Sequence, residues 1–189
     1  MVVTQYGRYS FWQTIGWSWS PGFGLRLSIG ISFAMLIIGF MLAWLIGGGE
    51  TQLDQLIASS MKARVATAVL ATFTAPLVEE MVYRGVLFPA IQRATGAVWG
   101  VAAVSFLFAL VHVVQYSNNL GVISVIVLLS IVLTSVRAFT GRLLPCFTIH
   151  LIFNAVQAAL LLAEPFLRPL FEKAKAPAMI LTYAFQCFS

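Results

Sequence analysis

The 189 residues are 60% hydrophobic and only 9% charged, whereas a soluble domain carries about 25% charged residues; with a mean hydropathy of +0.94, this excludes an ordinary soluble globule and points to one membrane domain over 1–189. The net charge of +5 comes from Lys and Arg scattered singly or in pairs, with no basic stripe. That excludes nucleic acid as a partner and suits membrane flanks facing anionic lipid.

The segment at about 6–24 carries Trp12, Trp17 and Trp19 with Tyr6, Tyr9 and Phe11, an aromatic cluster of the kind that lies in the membrane interface. Residues 27–49 are free of charge, and a membrane helix needs about 20 apolar residues, so they predict the first span. The run is too long for the apolar region of a signal peptide and no small-residue cleavage site follows, so no cleavable signal is expected. Gly47-Gly48-Gly49 reads as the stop of that span; no Lys or Ser of a phosphate loop follows it. After a connecting segment at 50–64, the interval 65–92 is long and apolar enough to cross, yet holds Glu79, Glu80 and Arg84.

The uncharged run 94–136 is divided by Gln115-Tyr116-Ser117-Asn118-Asn119, which predicts two helices in a hairpin. Residues 143–163 form another span, opened by Pro145 in its first turn and closed at Glu164-Pro165. The apolar tail 176–189 reads as re-entrant or interfacial. Arg93, Arg137 and Arg142 in short loops put the N-terminus in the cytoplasm, with Lys62 and Arg64 against the rule. Cys146 and Cys187 lack C-x-x-C spacing and define neither a disulfide nor a zinc clip. The expected protein is an all-α integral membrane protein of the cell membrane, a bundle of about five to six transmembrane helices around an intramembrane polar cavity.

On insertion scales each charge near a helix centre costs about 2.5–3.5 kcal/mol, so three of them in 65–92 need a reason. Glu80 and Arg84 are four residues apart, share a helix face and can pair. Glu79 is turned about 100° from them and has no local cation, which makes it the natural general base or acid. Tyr83 is one turn on, within hydrogen-bond reach, and Pro76 loosens the helix just before it. The two histidines, His112 and His150, fall in predicted spans, with Phe108 and Asn154 one turn from them. Three neighbouring helices can thus bring Glu79, His112, His150 and Asn154 to one cavity, the parts needed to activate a water and stabilise an oxyanion in amide hydrolysis. Counted at 1.5 Å per residue from the presumed cytoplasmic ends, Glu79, His150 and Asn154 lie at roughly 10–16 Å and His112 at about 22 Å.

The pattern Glu79-Glu80-x-x-x-Arg84, then Phe108-x-x-x-His112, then His150-x-x-x-Asn154 resembles the CAAX prenyl endopeptidase and bacteriocin-processing (type II CAAX, Abi-like) family of intramembrane glutamate proteases, over roughly residues 70–160. The resemblance implies an endopeptidase in which Glu79 and His112 activate water while His150 and Asn154 form the oxyanion hole. Glu80, Arg84, Tyr83 and Phe108 become supporting residues, with no cofactor and no metal. The implied substrate is a membrane-associated peptide, lipidated or prenylated at its C-terminus, and the catalytic core falls at about 65–163.

Other chemistries use the same residues. Cys146, one turn before His150, permits a thiol mechanism with Asn154, although a cysteine in apolar surroundings behaves as a small hydrophobe. Glu79, His112 and His150 also make a metal set of two imidazoles and a carboxylate, without an H-E-x-x-H helix. A non-catalytic immunity, sorting or binding protein, or a proton relay, would use the same cavity. The end Gln186-Cys187-Phe188-Ser189 has its cysteine in the wrong position for a prenylation box.

Overall fold

The computed structural model describes residues 10–173, with side chains through 169; Tyr6, Tyr9, Cys187 and the tail 176–189 lie outside the described residues. Every regular element described is helical: α1 (Phe11–Ile15), α2 (Leu25–Ile46), α3 (Gln52–Ser59), then one long broken helix, then α7 (Ala97–Tyr116), α8 (Leu120–Thr140) and α9 (Leu144–Lys173). The broken helix consists of α4 (Met61–Val69), a π turn at Leu70–Thr74, α5 (Ala75–Glu79), a π segment at Glu80–Leu87 and α6 (Phe88–Thr95). Five stretches are long and apolar enough to cross a membrane: Leu25–Ile46, Met61–Thr95, Ala97–Tyr116, Leu120–Thr140 and Leu144–Pro169. The chain is an all-α, multi-pass membrane protein, as its charge-free runs predict.

The first span stops where three glycines stand. Gly47 has φ +68°, and at Gly48 a Cβ would collide with Asn119, so this connection can lie directly on the α7–α8 hairpin. Gly49 N–H donates to Asn118 O at 2.8 Å and Gly121 N–H to Gly47 O at 3.0 Å. Asn119 in turn caps α8, its side-chain oxygen accepting from Val122 N–H at 3.0 Å.

Two parts of the sequence reading need correction. The connection at 50–64 contains α3, started by a capping box in which Asp54 N–H donates to Thr51 Oγ1 at 3.2 Å and Thr51 N–H to the Asp54 carboxylate at 2.6 Å. The last span does not end at Glu164-Pro165. Pro165 has no N–H, which deprives the Leu161 carbonyl of its helical partner. Arg64 of α4 takes that place, its Nη1 donating to Leu161 O at 3.1 Å and to Glu164 Oε2 at 2.7 Å. Arg168 Nε holds the other Glu164 oxygen at 2.5 Å, and α9 runs on to Lys173.

The apolar core lies where α2, α8 and α9 meet, around Met35, Leu129, Leu133, Cys146, Ile149 and Phe153. α7 packs along α6 and α8, and α4 along α9. At the N-terminal end, Ile15 is fully buried, Leu143 N–H donates to Gly16 O at 2.8 Å, and Trp17 packs on Phe147 with ring centres 5.0 Å apart.

Candidate active site

Glu79 sits between two π distortions, and each is made by a proline. In the first, Ala75 N–H donates five residues back to Leu70 O; the next donor in that register would be residue 76, a proline with no hydrogen to give Ala71 O. Asn154 of α9 supplies it instead, its Nδ2 donating to Ala71 O at 2.8 Å. In the second, Phe88 N–H donates to Tyr83 O, Pro89 leaves Arg84 O open in the same way, and Arg137 Nε of α8 donates to it at 3.0 Å. The loosening expected at Pro76 is therefore a defined change of helical register, sealed from a neighbouring helix.

Glu80 and Arg84 pair as their spacing predicts. Both side chains are 0% exposed, with Arg84 Nη1 donating to Glu80 Oε1 at 3.0 Å. The guanidinium carbon lies 4.6 Å from the centre of the Phe108 ring, a stacked cation–aromatic contact. His150, 3% exposed, reaches the same Glu80 oxygen through Nδ1 at 2.9 Å. A carboxylate paired with arginine only accepts, so the hydrogen is on Nδ1 of His150.

Glu79 points the other way, into a cavity, with its side chain 24% exposed and no Lys or Arg paired to it among the described residues. Its Oε1 lies 3.9 Å from Nε2 of His112 and its Oε2 lies 3.9 Å from Nε2 of His150, distances too long for direct hydrogen bonds. His112 Nδ1 donates to Phe108 O at 2.7 Å; a carbonyl can only accept, which fixes the hydrogen on Nδ1 and leaves Nε2 facing Glu79. The Phe108 and His112 rings are 4.6 Å apart. Both imidazoles are thus anchored through Nδ1 and present Nε2 to one carboxylate, while the two adjacent glutamates address opposite nitrogens of His150.

The depth mismatch counted from the sequence disappears. The broken helix runs on to Thr95 and α7 begins at Ala97, so Glu79 and His112 stand nearly the same number of residues on either side of Gly96. The tight antiparallel turn therefore brings them level.

The cavity measures about 400 Å³, and Glu79, His112, His150 and Asn154 all line it. Sequence reasoning missed four further polar lining residues, Thr67, Gln115, Tyr116 and Gln157, and the apolar wall that Leu53, Leu56 and Ile57 of α3 contribute. Gln115 and Gln157 carried a signal, since each stands three residues beyond His112 or Asn154 on the same helix face. No Lys or Arg lines the cavity among the described residues. Tyr83 makes no hydrogen bond to Glu79; its ring stands edge-on to Phe108 at 5.1 Å. Cys146 does not line the cavity. It is fully buried in the apolar core, with its thiol directed at Leu133 O at 3.3 Å. No group of three His, Cys, Asp or Glu side chains among the described residues is placed to hold a metal ion.

A family model described as type II CAAX prenyl endopeptidase, Rce1-like, matches residues 61–156, just over half of the chain. The protein belongs to this Rce1-like family. The matched region runs from α4 into α9 and contains Glu79, Glu80, Arg84, Phe108, His112, His150 and Asn154, while α1, α2, α3 and the rest of α9 lie outside it. No curated protein and no solved structure matches the chain. Membership in the Rce1-like family places this helical bundle among the CAAX-type intramembrane proteases.

Proposed function

We propose that the protein is a metal-independent endopeptidase that hydrolyses a peptide bond of a membrane-associated substrate with a water activated by Glu79 and His112. The observation that carries this reading is the placement of the cavity-facing carboxylate of Glu79 3.9 Å from each of two anchored Nε2 atoms. A water about 2.8 Å from both Glu79 Oε1 and His112 Nε2 fits that separation. Its oxygen attacks the carbonyl carbon as Glu79 takes its proton, and the carbonyl electron pair moves to oxygen. His150, protonated on both nitrogens with Nδ1–H held by Glu80, donates Nε2–H to the oxyanion, and the second Nδ2 hydrogen of Asn154 donates beside it. Collapse breaks the C–N bond, and Glu79 passes its proton to the leaving nitrogen, releasing an acid and an amine.

Glu79, His112, His150 and Asn154 are the catalytic residues of this scheme. Glu80, Arg84 and Phe108 hold the histidines, and Tyr83 supports Phe108. The catalytic core falls at about 65–163 of a single domain in the cell membrane, with the aromatic segment at about 6–24 resting in the interface. A prenylated C-terminal peptide is the substrate the family description suggests. The cavity's chemistry, apolar walls with neutral amides and no Lys or Arg among the described residues, supports the broader class of apolar peptides held in the membrane.

The test is a cleavage assay with a quenched fluorescent membrane peptide, comparing the parent with Glu79→Ala and His112→Ala in stably expressed protein. Cleavage lost in both variants supports hydrolysis at this site. A biological phenotype that survives both substitutions overturns it in favour of a non-catalytic immunity, sorting or binding role for the same cavity.

A further inference from the structure

Two hydroxyls one turn apart on α8, Ser130 and Thr134, take no part in the chemistry proposed above, yet both are fully buried and converge on one guanidinium. Arg84 Nε donates to Thr134 Oγ1 at 3.2 Å, and Nη2 donates to Ser130 Oγ at 2.7 Å and to Ser130 O at 3.3 Å. Only Nη1 is left for Glu80, and it meets Oε1 alone. Glu80 Oε2 is buried without a hydrogen-bond partner.

That one-sided pairing is unusual, because an arginine and a carboxylate left to themselves close into a two-pronged fork. Here α8 holds Nε and Nη2 away from the second oxygen. The consequence reaches both imidazoles. Glu80 Oε1, kept in place by a single Arg84 contact, receives His150 Nδ1–H at 2.9 Å. The same guanidinium lies over the Phe108 ring at 4.6 Å, and Phe108 O receives His112 Nδ1–H at 2.7 Å.

We propose that Ser130 and Thr134 are positioning residues: by holding Arg84 off the forked geometry they keep Glu80 Oε1 on His150 Nδ1 and so set the direction in which His150 presents Nε2 to Glu79. Their removal lets Arg84 close on both Glu80 oxygens and draws Oε1 from the imidazole. The effect on turnover rests on the proposed hydrolysis; the effect on the imidazole does not.

The 189-residue chain has two histidines, so labelling them with nitrogen-15 yields only two imidazoles to follow. In the parent, the His150 Nδ1 signal is that of a protonated donor. In the Ser130→Ala/Thr134→Val double variant that signal moves toward the value of an unanchored imidazole, and kcat falls about 10- to 100-fold with KM little changed. Ser130→Thr and Thr134→Ser restore both. If the double variant does not fold, the nearly isosteric Thr134→Val alone shifts the His150 signal in the same direction. A folded variant, double or single, with unshifted imidazole signals overturns the proposal. A parent without peptidase activity whose His150 signal still moves in the variants supports the positioning role and overturns the hydrolase reading instead.

Discussion

Asn154 Nδ2 donates a 2.8 Å hydrogen bond to the carbonyl of Ala71, the acceptor that Pro76 leaves open in the π turn before Glu79. A residue proposed to stabilise the oxyanion is thereby locked to the helix that carries the proposed base. The contact predicts two different outcomes. Asn154→Ala takes the partner from the half-buried Ala71 carbonyl, which costs about 0.5–1.5 kcal/mol of stability, and removes an oxyanion donor, which lowers kcat by about 10²- to 10³-fold. Pro76→Ala returns an N–H to the helix, so Ala71 O is satisfied without Asn154. Its unfolding midpoint holds or rises while turnover falls. Thermal unfolding in detergent beside the cleavage assay separates the two.

The adjacent glutamates divide stability from chemistry. Glu80→Gln strands the charge of Arg84 in a fully buried site, at a cost of about 3–5 kcal/mol, and activity is lost together with the fold. Glu79→Gln removes a carboxylate that has no Lys or Arg partner among the described residues, so stability stays within about 1 kcal/mol while kcat falls by at least about 100-fold. Equal stability losses in the two variants would contradict the assignment of a paired and a working carboxylate.

The spans were legible because hydrocarbon is a uniform solvent that admits few charges, so charge-free runs mark crossings directly. The separation of Glu79 from the Glu80–Arg84 pair was legible too, from helical spacing alone. What stayed hidden depends on partners distant in sequence. The continuation of α9 past Pro165 needs Arg64 to receive Leu161 O, and the π turns need Asn154 and Arg137 to receive the carbonyls that Pro76 and Pro89 release. Local rules treat each of these prolines as a loosening or an end. Ser130 and Thr134 left no trace because neutral hydroxyls inside an apolar span raise no anomaly of charge. α3 did carry a signature, Thr51-x-x-Asp54, within a stretch whose polarity reads as a connection.

Cys146 gives a control for the nucleophile. It lies in the core between α2, α8 and α9, outside the cavity wall, so Cys146→Ala removes packing and not chemistry. We expect a stability loss of about 1–2 kcal/mol from the small cavity created with kcat unchanged. A folded Cys146→Ala protein that cleaves nothing would move the mechanism to a thiol. In the same assay, chelators leave turnover intact under the water mechanism, and loss of activity reversed by one stoichiometric metal would replace it.

The charge of the cavity predicts how the end of a substrate is treated. An extended peptide advances about 3.3–3.6 Å per residue, so a C-terminal carboxylate three residues beyond the scissile bond lies about 10 Å from it. Within a cavity of about 400 Å³ the described walls offer that group Glu79 and no Lys or Arg. Arg84 is fully occupied, and Arg64 and Arg168 both hold Glu164. With His150 held at the scissile carbonyl about 10 Å away, desolvating a carboxylate that has no direct counter-charge costs several kcal/mol, and each 1.4 kcal/mol corresponds to about tenfold in binding. Of two otherwise identical apolar peptides, the C-terminal amide should therefore bind at least about tenfold more tightly than the free acid, and a peptide extended past the third residue should resemble the amide. Competition binding measures this without requiring turnover. A preference for the free acid would mean that a cation from outside the described walls reaches the bound peptide.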